Sequence, residues 1–166
     1  MQQTEQNSKR NEAIWDKLAK NGVLCSQPKL DMTVEAAKIY LNRHGFYEDD
    51  FSDKQVLCLA CGGGQQSIAF ALLGAEVTVV DFSQEQLNRD QLVAQKYNQH
   101  IRIIKTDMRD LRMLEDVSFD IVYQPYSINY IPQIDEVFDE INRVLRPGGI
   151  YDLMCHNPFV HGSWKS

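Results

Sequence analysis

Gly62-Gly63-Gly64 stand between an apolar run, Val56 to Ala60, and the polar pair Gln65-Gln66. Glycine has no Cβ, so a ligand can approach the backbone of such a turn. A helix opening directly after the turn aims its unpaired N–H groups at the same place. About 20 residues further on, Glu76-Val77-Thr78-Val79-Val80 ends in Asp81. In a strand–helix–strand unit that position carries an acid for ribose hydroxyls. The spacing therefore points to a ligand that approaches the backbone at the turn and offers ribose hydroxyls to the acid.

The four cysteines offer a second chemistry. Cys58 and Cys61 are separated by two residues, as in redox and zinc motifs. Cys58 falls inside the expected strand, however, and no second Cys or His pair follows at zinc spacing. Buried thiols in a reducing compartment are the simpler reading, and no metal is expected. Among the histidines, His100 reads as a solvated helix end. His156-Asn157-Pro158 and His161 follow the last strand, within reach of a substrate site. Glu48-Asp49-Asp50 reads as a solvated loop.

The elements around these residues alternate. A helix is expected over Asn11–Lys20, stopped by Asn21-Gly22, with the first ten residues polar and frayed. A loop follows, then a helix over Thr33–Arg43. From Gln55 the pattern becomes strand Val56–Ala60, helix Gln66–Leu72, strand Val77–Val80, and a helix opening at Ser83. Ser83 with Gln86 has capping-box form. Strands are expected at Ile101–Lys105, Phe119–Tyr123 and Ile150–Cys155. Between the last two, Ile134, Val137, Phe138, Ile141, Val144 and Leu145 recur at helical spacing after Pro132. Arg146-Pro147-Gly148-Gly149 breaks that helix. Such alternation implies a parallel sheet covered on both faces.

Length and charge narrow the class. The chain has 166 residues, enough for one core, and a net charge of −6. That balance disfavours nucleic acid, which wants a basic face. No run of about 18 apolar residues suggests a membrane span, and the polar start has no signal core. A cytoplasmic protein is expected.

Four segments in order resemble the class I S-adenosylmethionine-dependent methyltransferases. The resemblance runs from about Gln55 to Met154. It implies a Rossmann-like, doubly wound, mainly parallel α/β sheet with helices on both faces and an N-terminal helical lid. Residues 1–50 would be the leader and lid, and 51–166 the cofactor-binding domain. Leu57 to Gly64 looks like the turn under the cofactor's methionine part, which implicates Ala60, Cys61, Gly62, Gly63 and Gly64. Val79 to Ser83 looks like the second motif, with Asp81 on the ribose diol and Phe82 beside it. Lys105 to Met108 looks like the third, with Asp107 accepting from the adenine amino group and Met108 flanking the ring. Phe119 to Tyr123 and Val144 to Gly149 look like the fourth and fifth strands with their entry turn. The resemblance puts Tyr123 at the cofactor, Gln124 and Tyr126 toward the substrate, and Trp15 in the lid.

The pattern departs from the family at Cys58, where an acid is usual, and at Ala60, where glycine is usual. The family sheet has two further strands after the fifth, so this chain reads as truncated or completed by a partner. An apolar fifth-strand edge then invites self-association. The resemblance implies S-adenosyl-L-methionine as cofactor and methyl transfer to a small molecule. A non-catalytic or incomplete cofactor-binding module is the alternative. An NAD-type oxidoreductase is disfavoured, because Ser67 stands where the Gly-x-Gly-x-x-Gly fingerprint needs its third glycine.

Overall fold

The computed structural model describes residues 2–43 and 45–156. Its strands are β1 (Gln55–Leu59), β2 (Glu76–Asp81), β3 (Ile101–Lys105), β4 (Phe119–Pro125) and β5 (Leu145–Met154). They form one sheet in the order β3-β2-β1-β4-β5, and every pairing is parallel. The helices are α1 (Gln2–Lys20), α2 (Val34–Leu41), α3 (Gln66–Leu72), α4 (Gln84–Lys96) and α5 (Ile134–Val144). No described helix is long and apolar enough to cross a membrane.

The central strand shows why the sheet is covered twice. Side chains alternate faces along a strand. Val56 and Cys58 of β1 join a core built with α2, α3 and α4, while Leu57 and Leu59 join a second core with α5. A strand buried on both faces needs an unbroken apolar run, and β1 has one. Phe70 anchors the first core, with ring centroids of Phe51, Tyr123 and Tyr47 at 5.1, 5.5 and 6.0 Å. Cys58 lies wholly inside this core, and all four cysteines are free thiols.

Several expectations change. α1 starts at Gln2 instead of Asn11, because polar ties hold its outer turns. Ser8 Oγ donates to Asp107 Oδ2 at 3.1 Å, Asn11 Nδ2 to Tyr130 O at 3.3 Å, and Glu12 pairs with Lys105 at 2.8 Å. Farther along, Asp16 Oδ1 accepts from Ser83 Oγ at 2.5 Å and from Glu85 N–H at 3.3 Å. Arg89 donates to Ala19 O, and Lys20 pairs with Glu85. Tertiary contacts, more than intrinsic propensity, support such a helix.

The capping box forms only by half. Ser83 Oγ accepts from Gln86 N–H, but the Gln86 side chain reaches Ser26, and Ser83 N–H goes to Asp81. β5 starts at Leu145, not Ile150. Leu145 pairs with Phe119 and Ile150 with Ile121, so Arg146 to Gly149 loop out inside the strand. The chain from β3 to β4 contains turns but no helix.

The sheet order runs β1 to β3 in one direction and β4 to β5 in the other. The two halves part between β1 and β4. In open α/β sheets ligands bind there, beyond the carboxyl ends of the strands.

Candidate functional site

A cavity of about 400 Å³ opens at that point. Ala60, Cys61 and Gly62, directly after β1, form its floor. Asp81 and Phe82 at the end of β2, with Met108, form one end. Tyr126 after β4 and Met154 and His156 after β5 form the other. Trp15 of α1 closes over it, packed edge to face against Tyr130 at 5.5 Å.

The turn after β1 is left-handed almost throughout. Ala60, Gly62, Gly63 and Gly64 have φ of 48°, 64°, 72° and 66°. Ala60 is the one of these with a Cβ, and an L-residue there costs roughly 1–2 kcal/mol. Ala60→Gly is expected to stabilise the fold by up to about 1 kcal/mol, because relief of strain outweighs the added freedom of the unfolded chain. A urea titration measures it; a lower midpoint would contradict the strain.

The glycines also answer to packing. A Cβ on Gly63 would lie 2.8 Å from the Ser26 carbonyl carbon, and one on Gly64 would lie 2.8 Å from Arg89 O. Those two residues hold the 3-10 turn Leu24–Ser26 and α4 against the loop, and neither borders the cavity.

Asp81 is buried at the cavity wall, and its Oδ1 accepts from Ser83 N–H at 2.8 Å. Burial pushes its carboxyl up to about 7, against the pull of the backbone N–H groups. Asp90 beneath it is raised to about 7 by burial too, and accepts from Ser67. Cys61 Sγ lies 3.2 Å from Tyr123 O, and burial raises its thiol well above the ordinary value. The thiol stays protonated and serves as a donor.

The structure brings together Trp15, Ala60, Cys61, Gly62, Asp81 and Phe82 at this cavity, with Met108 and Tyr126. Of the remaining described residues singled out in the sequence, His156 also borders the cavity and the others lie elsewhere. Asp107 borders a separate polar cleft under the start of α1. Its two oxygens take Arg109 Nε at 2.9 Å and Nη2 at 2.7 Å. Burial raises the Asp107 carboxyl, but the Arg109 bonds outweigh it and leave it below its ordinary value. Tyr123 points into the first core, where β4 alternation puts it against Phe70. Gln124 is fully buried on the other face, donating to Met108 Sδ and accepting from Tyr151. It supports Met108 and lies outside the cavity lining. Asn157, Pro158 and His161 lie outside the described residues.

Several cavity residues escaped the sequence reading, among them Tyr40, Arg43, Gln66 and Gln86. Arg43 Nε donates to Tyr40 O at 3.1 Å and its guanidinium lies 4.7 Å from the Tyr40 ring centre. Gln66 opens the helix after the glycines, which was the available signal. Nothing local marked the others.

An open parallel sheet with a cavity at its switch point defines a Rossmann-like α/β protein. The family model described as a methyltransferase domain matches residues 57–152, more than half of the chain. An uncharacterised methyltransferase of Bacillus subtilis, YbaJ, is 41% identical over 106 residues, 64% of this chain and 42% of that protein. A ubiquinone biosynthesis O-methyltransferase of Colwellia psychrerythraea is 29% identical over 66% of this chain and 42% of its own length. The crystal structure of PH0226 from Pyrococcus horikoshii matches with a TM-score of 0.63 at 27% identity, covering 79% of this chain and 62% of that one. The chain belongs to the methyltransferase-domain family, among the class I S-adenosylmethionine-dependent methyltransferases. It spans less than half the length of these two curated relatives.

Proposed function

We propose that this protein transfers a methyl group from S-adenosylmethionine to a small-molecule acceptor. The observation that carries the reading is one cavity with a buried acid at one end and a glycine floor beside it. Its volume of about 400 Å³ falls in the range of small-ligand sites. The fit is chemical as well. A carboxylate suits ribose hydroxyls, Phe82 and Met108 suit a purine face, and Gly62 leaves room for a chain without side-chain interference.

When bound, the cofactor supplies a methyl group already activated on its sulfonium. The chain's own residues then have three tasks. Asp81 accepts from the ribose diol and sets the position of the nucleoside. Arg43, held flat on Tyr40, offers its terminal N–H groups to the cofactor's carboxylate. Trp15 and Tyr130 shield the cavity from water.

Tyr126 and His156 stand at the acceptor end, their rings 5.1 Å apart. Tyr126 is held at φ 57°, a strained conformation of the kind concentrated at functional sites. In-line positioning at near-attack distance supplies most of the remaining rate. A cytoplasmic small molecule fits the acidic surface better than nucleic acid does.

Calorimetry tests the reading. S-adenosylmethionine and S-adenosylhomocysteine are expected to bind and NAD is not. A heat of NAD binding with none for either sulfur nucleoside would refute it.

A further inference from the structure

Two glutamines at the cavity carry buried side-chain oxygens with no partner: Gln66 Oε1 and Gln86 Oε1. Gln66 is 8% exposed and Gln86 is 2% exposed, and both border the cavity. An unpaired buried acceptor is costly, and at the wall of a cavity a bound ligand is one partner that would complete it.

The direction of the hydrogen bonds around Gln66 is determined. Gln65 Nε2 donates to two backbone carbonyls, Leu24 O at 3.2 Å and Gln27 O at 2.8 Å. Carbonyls only accept, so this end of the Gln65 amide must be its nitrogen. Gln65 Oε1 therefore faces Tyr40 and accepts from its hydroxyl at 3.2 Å. Having donated its one proton, the Tyr40 oxygen accepts from Gln66 Nε2 at 3.0 Å. That leaves the Gln66 oxygen as the unmatched end of the relay. The Gln86 amide is held by Nε2 donating to buried Ser26 Oγ at 2.7 Å. Its carbon lies 3.3 Å from where a Cβ on Gly62 would stand.

Gln66 follows the glycine turn and Gln86 packs on it, so both side chains border the floor. We propose that Gln66 Oε1 and Gln86 Oε1 accept hydrogen bonds from the α-ammonium group of the bound cofactor. The inference rests on the function proposed above. An ammonium has three N–H donors and no acceptor, which matches two oxygens that lack donors. No carboxylate is available for it nearby in β1, where Cys58 is sealed in the core.

The test compares S-adenosylhomocysteine with its analogue lacking the α-amino group, by calorimetry on wild type, Gln66→Met and Gln86→Met. Wild type is expected to prefer the amino compound by about tenfold or more, the worth of one good hydrogen bond to a charged group. Each variant should lose about that factor for S-adenosylhomocysteine and nothing for the analogue. Each variant also loses its Nε2 hydrogen bond, to Tyr40 or to Ser26, so a cooperative melt is checked before the two affinities are compared. Two variants on different helices guard against one that fails to fold. A folded variant that keeps the wild-type preference overturns the proposal. Equal wild-type affinity for the two compounds also overturns it while leaving the function intact. Binding of neither compound removes the proposed function and this subsite together.

Discussion

Gly64→Val is expected to destabilise the fold by roughly 2–5 kcal/mol, combining a left-handed conformation with overpacking. Gly64 has φ 66°, and a Cβ there would lie 2.8 Å from Arg89 O and 2.9 Å from Val93 Cγ2. The first is backbone inside α4 and cannot swing aside. Valine adds a second branch to a position already closed, and β-branched residues are poorest at positive φ. For a domain near 5–15 kcal/mol of total stability, that is a large fraction. Thermal melting and expression yield give the answer. A soluble variant melting with wild type would mean the helix had moved without cost. Gly62→Ala should be milder, because its nearest neighbour is a Gln86 side-chain atom at 3.3 Å and not backbone.

Asp81→Ala should weaken binding of S-adenosylhomocysteine by about 1.5–3 kcal/mol, the range for hydrogen bonds to a charged group. The pH dependence is more telling. The free Asp81 carboxyl titrates near 7, mainly because it is buried. Ribose hydroxyls that donate to it favour its charged form and lower that value. Binding should therefore release a proton around neutrality, and affinity should rise from pH 5.5 to 8. The sign for stability is opposite. A carboxyl raised in the folded state favours folding at low pH, and that contribution is lost as pH rises from about 4 through 7. Ligand-free wild type should thus gain less from Asp81 at pH 8 than at pH 5. Asp81→Ala should flatten the pH dependence of binding; an unchanged slope would remove Asp81 from the ligand.

The parts of the site legible in sequence are those where one local pattern sets position. The glycine turn and Asp81 follow strands whose period and burial were plain, so Ala60, Gly62, Asp81 and Phe82 converge. Asp107 also follows a strand, but Arg109, two residues on, reaches back to bind it. Gln124 and Tyr123 show the same limit. Strand alternation told that they face opposite ways, but not that both faces were already filled. Tyr40, Arg43 and Gln86 are brought in by helix packing from outside the motif segments. Long-range placement of that sort leaves no periodic trace. The outer half of α1 was hidden likewise, because Glu12 and Ser8 find partners about a hundred residues away in the sequence.

The attachment of α1 bears on time as much as on structure. Among its described side chains only Ala19 is buried, and apart from the Trp15 contact with Tyr130 its grip rests largely on ion pairs and hydrogen bonds. Such ties are individually weak and are screened by salt. The helix over the cavity is therefore expected to undock at little cost to the sheet. A bound ligand's residence time is then expected to shorten as ionic strength rises, even where the contacts inside the cavity stay the same, which release rates at two salt concentrations measure. Asp16 adds a coupling, because it bonds the first turn of α4, the helix that carries Gln86. Undocking of α1 would break those bonds, so release and loosening of the site are expected to be coupled.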